Sequence, residues 1–325
     1  MAERVAALLS AQGLAVRFRG PQGTVTAVHD VSFDLAPGET LALVGESGSG
    51  KTTIGRSVMR LNTPDAGSIR LQGQEIAGLS RRQLRPVRQR LQMVFQDPYA
   101  SLNPHMSAER IVAAPLAIHG LAPAAAERRD RVVGMLERVG LSAQHLHRFP
   151  HEFSGGQRQR LGIARALISR PDLVNVDEPV AALDVSVQAQ IVKLLLGLSA
   201  EFALAILFIT HDLAVVARMC DRVAVLYCGR LVEVATKRDL FRSPAHPYSE
   251  ALLSAIPVPE VGRRSRRIIL PGSQPSPADL PSGCAFRTRC HHALSECATA
   301  RPALRSSSPG HLTACICEDI ALVGI

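Results

Sequence analysis

The 325-residue chain has no tryptophan, and its aromatic content is only 4%. Bases of nucleic acid are held largely by stacking on aromatic rings, so this poverty argues against a base-stacking platform. Lysine occurs only at Lys51, Lys193 and Lys237, and the net charge of +9 rests mainly on arginine. No apolar run approaches the roughly 20 residues that cross a bilayer. The N-terminal ten residues carry an acid and no long apolar core, so a secretory signal is not expected. No internal repeat is visible, and the late cysteines are spaced too widely for a Cys-x-x-Cys zinc knuckle.

What is present fits a folded protein. Hydrophobic residues make up 46% and charged residues 20%, far from the composition of a disordered chain. The length suffices for two or three units with a substantial core. The arginines cluster at Arg81, Arg82 and Arg85 through Arg90, and at Arg263, Arg264, Arg266 and Arg267. They read as a solvated face and a charged linker. A protein docked on an anionic membrane face would tolerate the same charge.

Residues 14–35 alternate as strand material around a turn at 20–23, and Leu41–Val44 is a short buried-strand run leading to a helix over Lys51–Arg60. Leu91–Phe95 predicts another strand. From about 97 to 153 the spacing is helical. Helix over Arg158–Ser169 stops before Pro171, after which strands at 173–176, 204–209 and 223–227 alternate with helices at 187–199 and 213–219. That order predicts an α/β fold with a mostly parallel sheet covered on both faces. A last helix is expected over 246–256, then a Pro-, Arg- and Ser-rich linker and a cysteine-rich tail.

Gly45-Glu46-Ser47-Gly48-Ser49-Gly50-Lys51-Thr52, with Thr53 next, fits a phosphate loop between a strand and a helix. The glycines let N–H groups turn toward phosphate oxygens. Lys51 would reach the β- and γ-phosphates, and Thr52 would offer a hydroxyl to Mg²⁺. Asp177 and Glu178 end a strand, where Asp177 could hold Mg²⁺ through water and Glu178 could orient or deprotonate an attacking water. Asn175 interrupts that strand's apolar run and predicts a polar contact. Gln96 and His211 each follow a strand directly, a place where ligand-binding residues collect. Ser154 reads as an N-cap ahead of Gly155, Gly156 and Gln157, a second candidate anion site.

Taken in order, the phosphate loop, Gln96, Ser154-Gly155-Gly156-Gln157, Asp177-Glu178, Ala182-Leu183-Asp184 and His211 resemble an ABC ATPase over about residues 12–255. The resemblance implies a P-loop core, an N-terminal antiparallel β part and a helical subdomain at about 97–170, all within 1–256. A linker at 257–281 and a cysteine-rich region at 282–325 follow. It also implies that the Ser154 signature acts in trans on ATP held by a partner. Gln96 becomes the Q-loop, near Mg²⁺ and the attacking water; Asp184 becomes the D-loop across a dimer interface; His211 becomes the switch histidine. Phe18 stands where an aromatic stacks on adenine, and could equally be core.

Phe95-Gln-Asp-Pro-Tyr-Ala-Ser-Leu-Asn-Pro104, Pro150-His-Glu-Phe153 and Leu183-Asp-Val-Ser-Val-Gln-Ala-Gln190 narrow the resemblance to the second ATPase subunit of oligopeptide/dipeptide (peptide/nickel) importers. The tail, with Pro281-Ser-Gly-Cys284, Cys290, Cys297 and Cys315, agrees. A peripheral protein on the cytoplasmic side of the membrane is implied. Its partners would be a second ATPase subunit (identical or different), permease subunits and, indirectly, an extracytoplasmic solute-binding protein; nucleic acid is not expected. Relatives' tails imply a [4Fe–4S] cluster on Cys284, Cys290, Cys297 and Cys315, with Cys317 an alternative fourth ligand and zinc or free thiols alternative states. Disulfides are not expected in a reducing cytosol, and Cys220 and Cys228 read as small core fillers.

A non-transport ABC ATPase of translation or DNA repair is the rival reading. Such chains carry tandem cassettes, long coiled-coil insertions or zinc modules, none of which is visible. A P-loop kinase or GTPase leaves the Ser154 signature and His211 unexplained.

Overall fold

Alternating apolar residues build the first two strands. Leu9, Ala11, Leu14 and Val16 are buried on β1 (Leu9–Gly20), and Val31, Phe33 and Leu35 on β2 (Gly23–Leu35), the two-residue period of a strand with one solvated face, broken once on β1 by an irregularity between Ala11 and Leu14. The computed structural model describes residues 6–20, 23–181, 183–256, 267–317 and 322–324. After β2 come β3 (Thr40–Val44), α1 (Lys51–Val58), β4 (Ala66–Leu71), β5 (Gln74–Glu75), α2 (Arg81–Arg90) and β6 (Leu91–Val94). The helical stretch holds α3 (Pro98–Ser101), α4 (Ala108–His119), α5 (Ala125–Arg138) and α6 (Gly155–Leu167). Then follow β7 (Leu173–Asp177), α7 (Val185–Phe202), β8 (Ala205–Thr210), α8 (Leu213–Met219), β9 (Arg222–Tyr227) and β10 (Arg230–Thr236). The chain closes with α9 (Lys237–Arg242), α10 (Pro247–Ser254), β11 (Arg305–Ser308) and β12 (His311–Thr313).

These residues form two compact units. In the first (6–8, 36–39 and 78–208), β6 and β7 pair in parallel from Leu91 opposite Leu173 to Val94 opposite Val176. Helices α3, α4 and α5 pack on α6. The arginine run at 81–90 forms a helix: Ser80 and Gln83 close a capping box and Leu84 and Val87 are buried. Arg81, Arg82, Arg85 and Arg88 are exposed as expected. The second arginine cluster, apart from Arg267, lies outside the described residues. Helix α7 is the one described helix long and apolar enough to match a membrane span, and it buries Ile191, Val192, Leu195 and Leu198 along one side.

The second unit (9–35, 40–77 and the described residues from 209 onward) contains the antiparallel sheet β2-β1-β4-β5 and the strand series β11-β12-β10-β9-β3. There β3 and β9 are parallel, while β10 and β12 add antiparallel strands. The reversal follows from Cys228 and Gly229, both at positive φ (46° and 75°), a two-residue turn that can join only antiparallel neighbours.

Candidate active site

Strand β3 is buried at every residue, and the chain turns into the phosphate loop as soon as it ends. Gly45 sits at φ 152°, where an added Cβ would lie 2.2 Å from the Leu226 carbonyl oxygen and 2.9 Å from Ser49 Oγ. Only glycine fits. The Lys51 ammonium, with the residue 5% exposed, donates to the carbonyls of Gly45 and Glu46 at 2.8 Å each. The loop therefore curls around a buried cation, which a phosphate would neutralise. Helix α1 starts at Lys51 with Gly50 as its N-cap, so no side chain caps its first N–H groups, and these with the helix dipole favour an anion. Ser49 Oγ is buried without a hydrogen-bond partner among the described residues. An orphaned hydroxyl costs about 1–3 kcal/mol, and a phosphate oxygen would relieve it. These residues fit a polyphosphate.

Two residues that sequence reasoning missed anchor the loop. Tyr248 on α10 accepts the Glu46 N–H at 2.9 Å. Arg289 grips the Glu46 carboxylate with both arms, Nη1 to Oε2 at 2.7 Å and Nη2 to Oε1 at 3.1 Å. Burial works against the Arg289 cation, but its hydrogen bonds to Glu46 and Tyr227 outweigh that and hold it protonated above its ordinary range. Burial pushes the Tyr227 phenol up to about 12 and the Tyr248 phenol further in the same direction. Neither position carried a local sequence signal, because each is about 200 residues or more from the loop.

In the first unit, Asp177 closes β7 at 2% exposure. Glu178 follows at φ 43°, a left-handed conformation that costs a non-glycine residue on the order of 1 kcal/mol. Its Oε2 accepts a hydrogen bond from Gln96 Nε2 at 3.0 Å, which joins two of the expected residues across 82 positions of sequence. Asn175, fully buried on the same strand, leaves both amide atoms without a partner among the described residues. The expected polar contact is not made.

The signature is the start of α6. Ser154 Oγ accepts from the Gln157 N–H at 3.3 Å and Gln157 Oε1 accepts from the Ser154 N–H at 3.0 Å, a complete capping box. Ser154 and Gly155 are exposed, while Gly156 is buried. A Cβ on Gly156 would lie 2.6 Å from Val187 Cγ1, and one on Gly155 would lie 3.3 Å from Leu183 Cδ2, so the signature packs on the segment that opens α7. Asp184, the N-cap of α7, is exposed beside Val185, itself 81% exposed. Gln188 ties this turn down through the carbonyls of Val180 and Leu183. Two α6 arginines also hold the segment around Gln96. Arg165 lies 5.8 Å from the Phe95 ring centre and donates to the Ser101 carbonyl at 2.6 Å; Arg158 lies 5.2 Å from the Tyr99 ring centre.

In the second unit, Phe18 is 47% exposed on β1, so it is not a core residue. His211 is exposed immediately after β8, and Asp212 caps α8. In the tail, burial pushes the thiols of Cys284, Cys290, Cys315 and Cys317 up, to about 11 for Cys290 and about 12 for Cys315. The group of His, Cys, Asp or Glu ligand atoms within 4.8 Å of one another, among the described residues, is Glu250, His291 and His292; no three cysteines form such a group. Cys220 and Cys228 are buried.

The family model of the ABC transporter matches residues 28–181, and that of the oligopeptide/dipeptide transporter C-terminal region matches 232–297. A putative peptide import ATP-binding protein of Brucella ovis is 54% identical over 313 residues, covering 96% of this chain and 98% of the relative. The oligopeptide transport ATP-binding protein AppF of Bacillus subtilis is 48% identical, covering 92% and 91%. Among solved structures, the dimeric post-hydrolysis state of the ATP-binding cassette MJ0796 bound to ADP and Pi superposes with a TM-score of 0.66 at 28% identity, covering 71% of this chain and 99% of that one. CbiO1 from Clostridium perfringens, part of the transporter complex cbiONQ, gives 0.64 at 28% identity, covering 73% and 91%. With its phosphate loop, its capped signature helix and relatives alike along nearly their whole length, the chain belongs to the ATP-binding subunits of ABC transporters, in the branch that carries the oligopeptide/dipeptide C-terminal region.

Proposed function

We propose that this chain binds and hydrolyses ATP to energise an importer of di- or oligopeptides or related solutes. The observation that carries the reading is the division of labour between the two units. One presents a glycine-built anion cradle around Lys51, and the other carries both an exposed, fully capped helix start at Ser154 and the Gln96–Glu178 pair. ATP would be held by Gly45 to Thr53 of one subunit and closed over by Ser154, Gly155, Gly156 and Gln157 of its partner, with Asp184 at the contact and Phe18 against the adenine. Magnesium, held by Thr52, Gln96 and Asp177, would supply positive charge to the phosphates when bound. Glu178 orients and deprotonates the attacking water, held in place by Gln96, and His211 contacts the γ-phosphate.

In this reading 1–256 is the ATPase domain with its helical subdomain at about 97–170, 257–281 the linker and 282–325 the cysteine-rich region. The partners are a second ATPase subunit, identical or not, and permease subunits fed by a solute-binding protein. The chain sits peripherally on the cytoplasmic face of the membrane. The tail would carry a [4Fe–4S] cluster on Cys284, Cys290, Cys297 and Cys315 or Cys317. Supporting it, the Cys284 N–H donates to the Cys297 carbonyl at 2.9 Å, and burial, with neighbouring tail cysteines adding to it, disfavours ionisation of Cys284, Cys290 and Cys317, a cost that iron binding would offset. Iron and acid-labile sulfide in anaerobically purified protein test the cluster.

The central test is Mg²⁺-dependent ATP hydrolysis by the purified chain with its copurifying partners. Hydrolysis abolished by Lys51→Ala and copurification with permease subunits are expected. Wild-type protein that neither binds nor hydrolyses ATP would overturn the reading, as would copurification with ribosomes or DNA in place of membranes.

A further inference from the structure

Residue 46, the second position of the phosphate loop, is held at three points. Its N–H goes to the Tyr248 hydroxyl, its carbonyl accepts the Lys51 ammonium at 2.8 Å, and its carboxylate is clasped by Arg289. The last contact comes from the cysteine-rich region, 243 residues away in sequence. Arg289 is 7% exposed, and its remaining donors are engaged as well: Nε to the Pro271 carbonyl at 3.2 Å and Nη1 to the Tyr227 hydroxyl at 3.5 Å. Its backbone N–H donates to Phe286. Phe286 in turn packs against Tyr227 and Tyr248, with ring centres 5.2 and 5.3 Å apart, and all three rings are at most 1% exposed. The same short segment thus supplies both the cation that holds Glu46 and the ring that backs the two tyrosines.

We propose that Arg289 is a positioning residue for nucleotide binding: through its two-armed grip on Glu46, the cysteine-rich C-terminal region sets the shape of the phosphate loop and so this chain's affinity for ATP. The proposal rests on the ATPase reading above. Its physical basis is that Glu46 and Lys51 share one carbonyl. Shifting residue 46 moves an oxygen bonded to the ammonium that the nucleotide phosphates must meet, and a bidentate ion pair to a buried arginine resists such a shift far better than a single hydrogen bond. Cys290 is the next residue after Arg289, so whatever grips that thiol also fixes the backbone from which the arginine reaches. The C-terminal region then does more than append a tail; it completes the wall of the nucleotide site from behind.

The test uses the full chain. Binding of ATPγS with Mg²⁺ by calorimetry, and steady-state KM and kcat for ATP, are measured for wild type, Arg289→Gln, Arg289→Lys, Glu46→Gln and the double variant Glu46→Gln/Arg289→Gln. Lys51→Ala serves as the control for the nucleotide site. Arg289→Gln is expected to raise Kd and KM about tenfold, equivalent to about 1.4 kcal/mol, with kcat held within about twofold. Arg289→Lys, which keeps the charge and loses the fork, falls between. The double variant is no weaker than the weaker single, because both singles break one contact. The proposal is overturned by wild-type Kd and KM in Arg289→Gln, by a lowered kcat at unchanged KM (the mark of a smaller folded fraction), or by singles whose effects add. If Arg289→Gln does not fold, Arg289→Lys decides: a raised KM supports the proposal and an unchanged one overturns it. Wild-type protein that fails to bind ATPγS overturns the ATPase reading and this proposal together, an outcome separate from all the others.

Discussion

The two halves of the proposed nucleotide site are built by opposite means. The phosphate loop exposes Ser47 and Gly48 but buries Gly45, Ser49 and Lys51; it curls around its own lysine and is tied down from remote parts of the chain by Tyr248 and Arg289. The signature is a locally satisfied helix start whose Ser154 and Gly155 face solvent. In the proposed pairing, the difference follows from whom each half would serve. A cradle for the chain's own ATP must be preorganised in all directions, whereas a surface that meets another subunit's ATP needs order in its backbone and exposure at its tip.

The largest expected effect tests the chemistry on the signature side. Glu178→Gln should lower turnover at least about 100-fold, within the range of lost general-base catalysis. Binding of ATP should be retained and an ATP-bound dimer should accumulate on gel filtration; undiminished hydrolysis would remove Glu178 from its role. Two tight glycines, one from each half, come next. Both Gly45→Ala and Gly156→Ala should destabilise by about 1–3 kcal/mol through overpacking, read by thermal melting. Val187→Ala should restore Gly156→Ala, since the clash there is with a side chain, but no side-chain change should restore Gly45→Ala, which meets the Leu226 carbonyl. Rescue of both, or of neither, would erase the contrast between the halves.

Each unit also buries one polar side chain at no more than 1% exposure that sharpens the comparison. His246 in the second unit has a partner, its Nδ1 accepting the Tyr248 N–H at 3.1 Å, and burial lowers its pKa to about 3. The unfolded chain takes up a proton near pH 6.5 while the folded one does not. Stability from this group is therefore full above pH 6.5 and falls by about 1.4 kcal/mol per unit as the pH drops toward 3. Chemical denaturation at stepped pH should show that slope, reduced in His246→Gln. Asn175 in the first unit has no such partner, and Asn175→Val should raise stability by about 1 kcal/mol; a loss would mean that the amide is satisfied after all.

Local chemistry decided how much could be read from the amino-acid order. The phosphate loop, the signature cap and the acidic strand end were legible because each packs its donors, glycines and acids into a few adjacent residues. The Gln96–Glu178 hydrogen bond was not visible as a contact, yet both residues stood out by following strands. The turn at Cys228-Gly229 was missed because a cysteine at positive φ is not a usual hairpin signal, and with it the antiparallel strands β10 to β12. Helix α2 was hidden by its arginines, since charge masked the two apolar residues that bury it. Tyr248, Arg289, Arg158 and Arg165 act only through tertiary contacts, which no periodicity announces.

The exposure of Ser154 and Gly155 has a genetic consequence. In the proposed pairing, a lesion in the phosphate loop silences the copy that carries it, while a lesion in the signature silences its neighbour. A subunit with a ruined signature would therefore act as a poison to an intact partner. Mixing one chain crippled at Lys51 with another crippled at Ser154 would leave one composite site with both defects and one with neither.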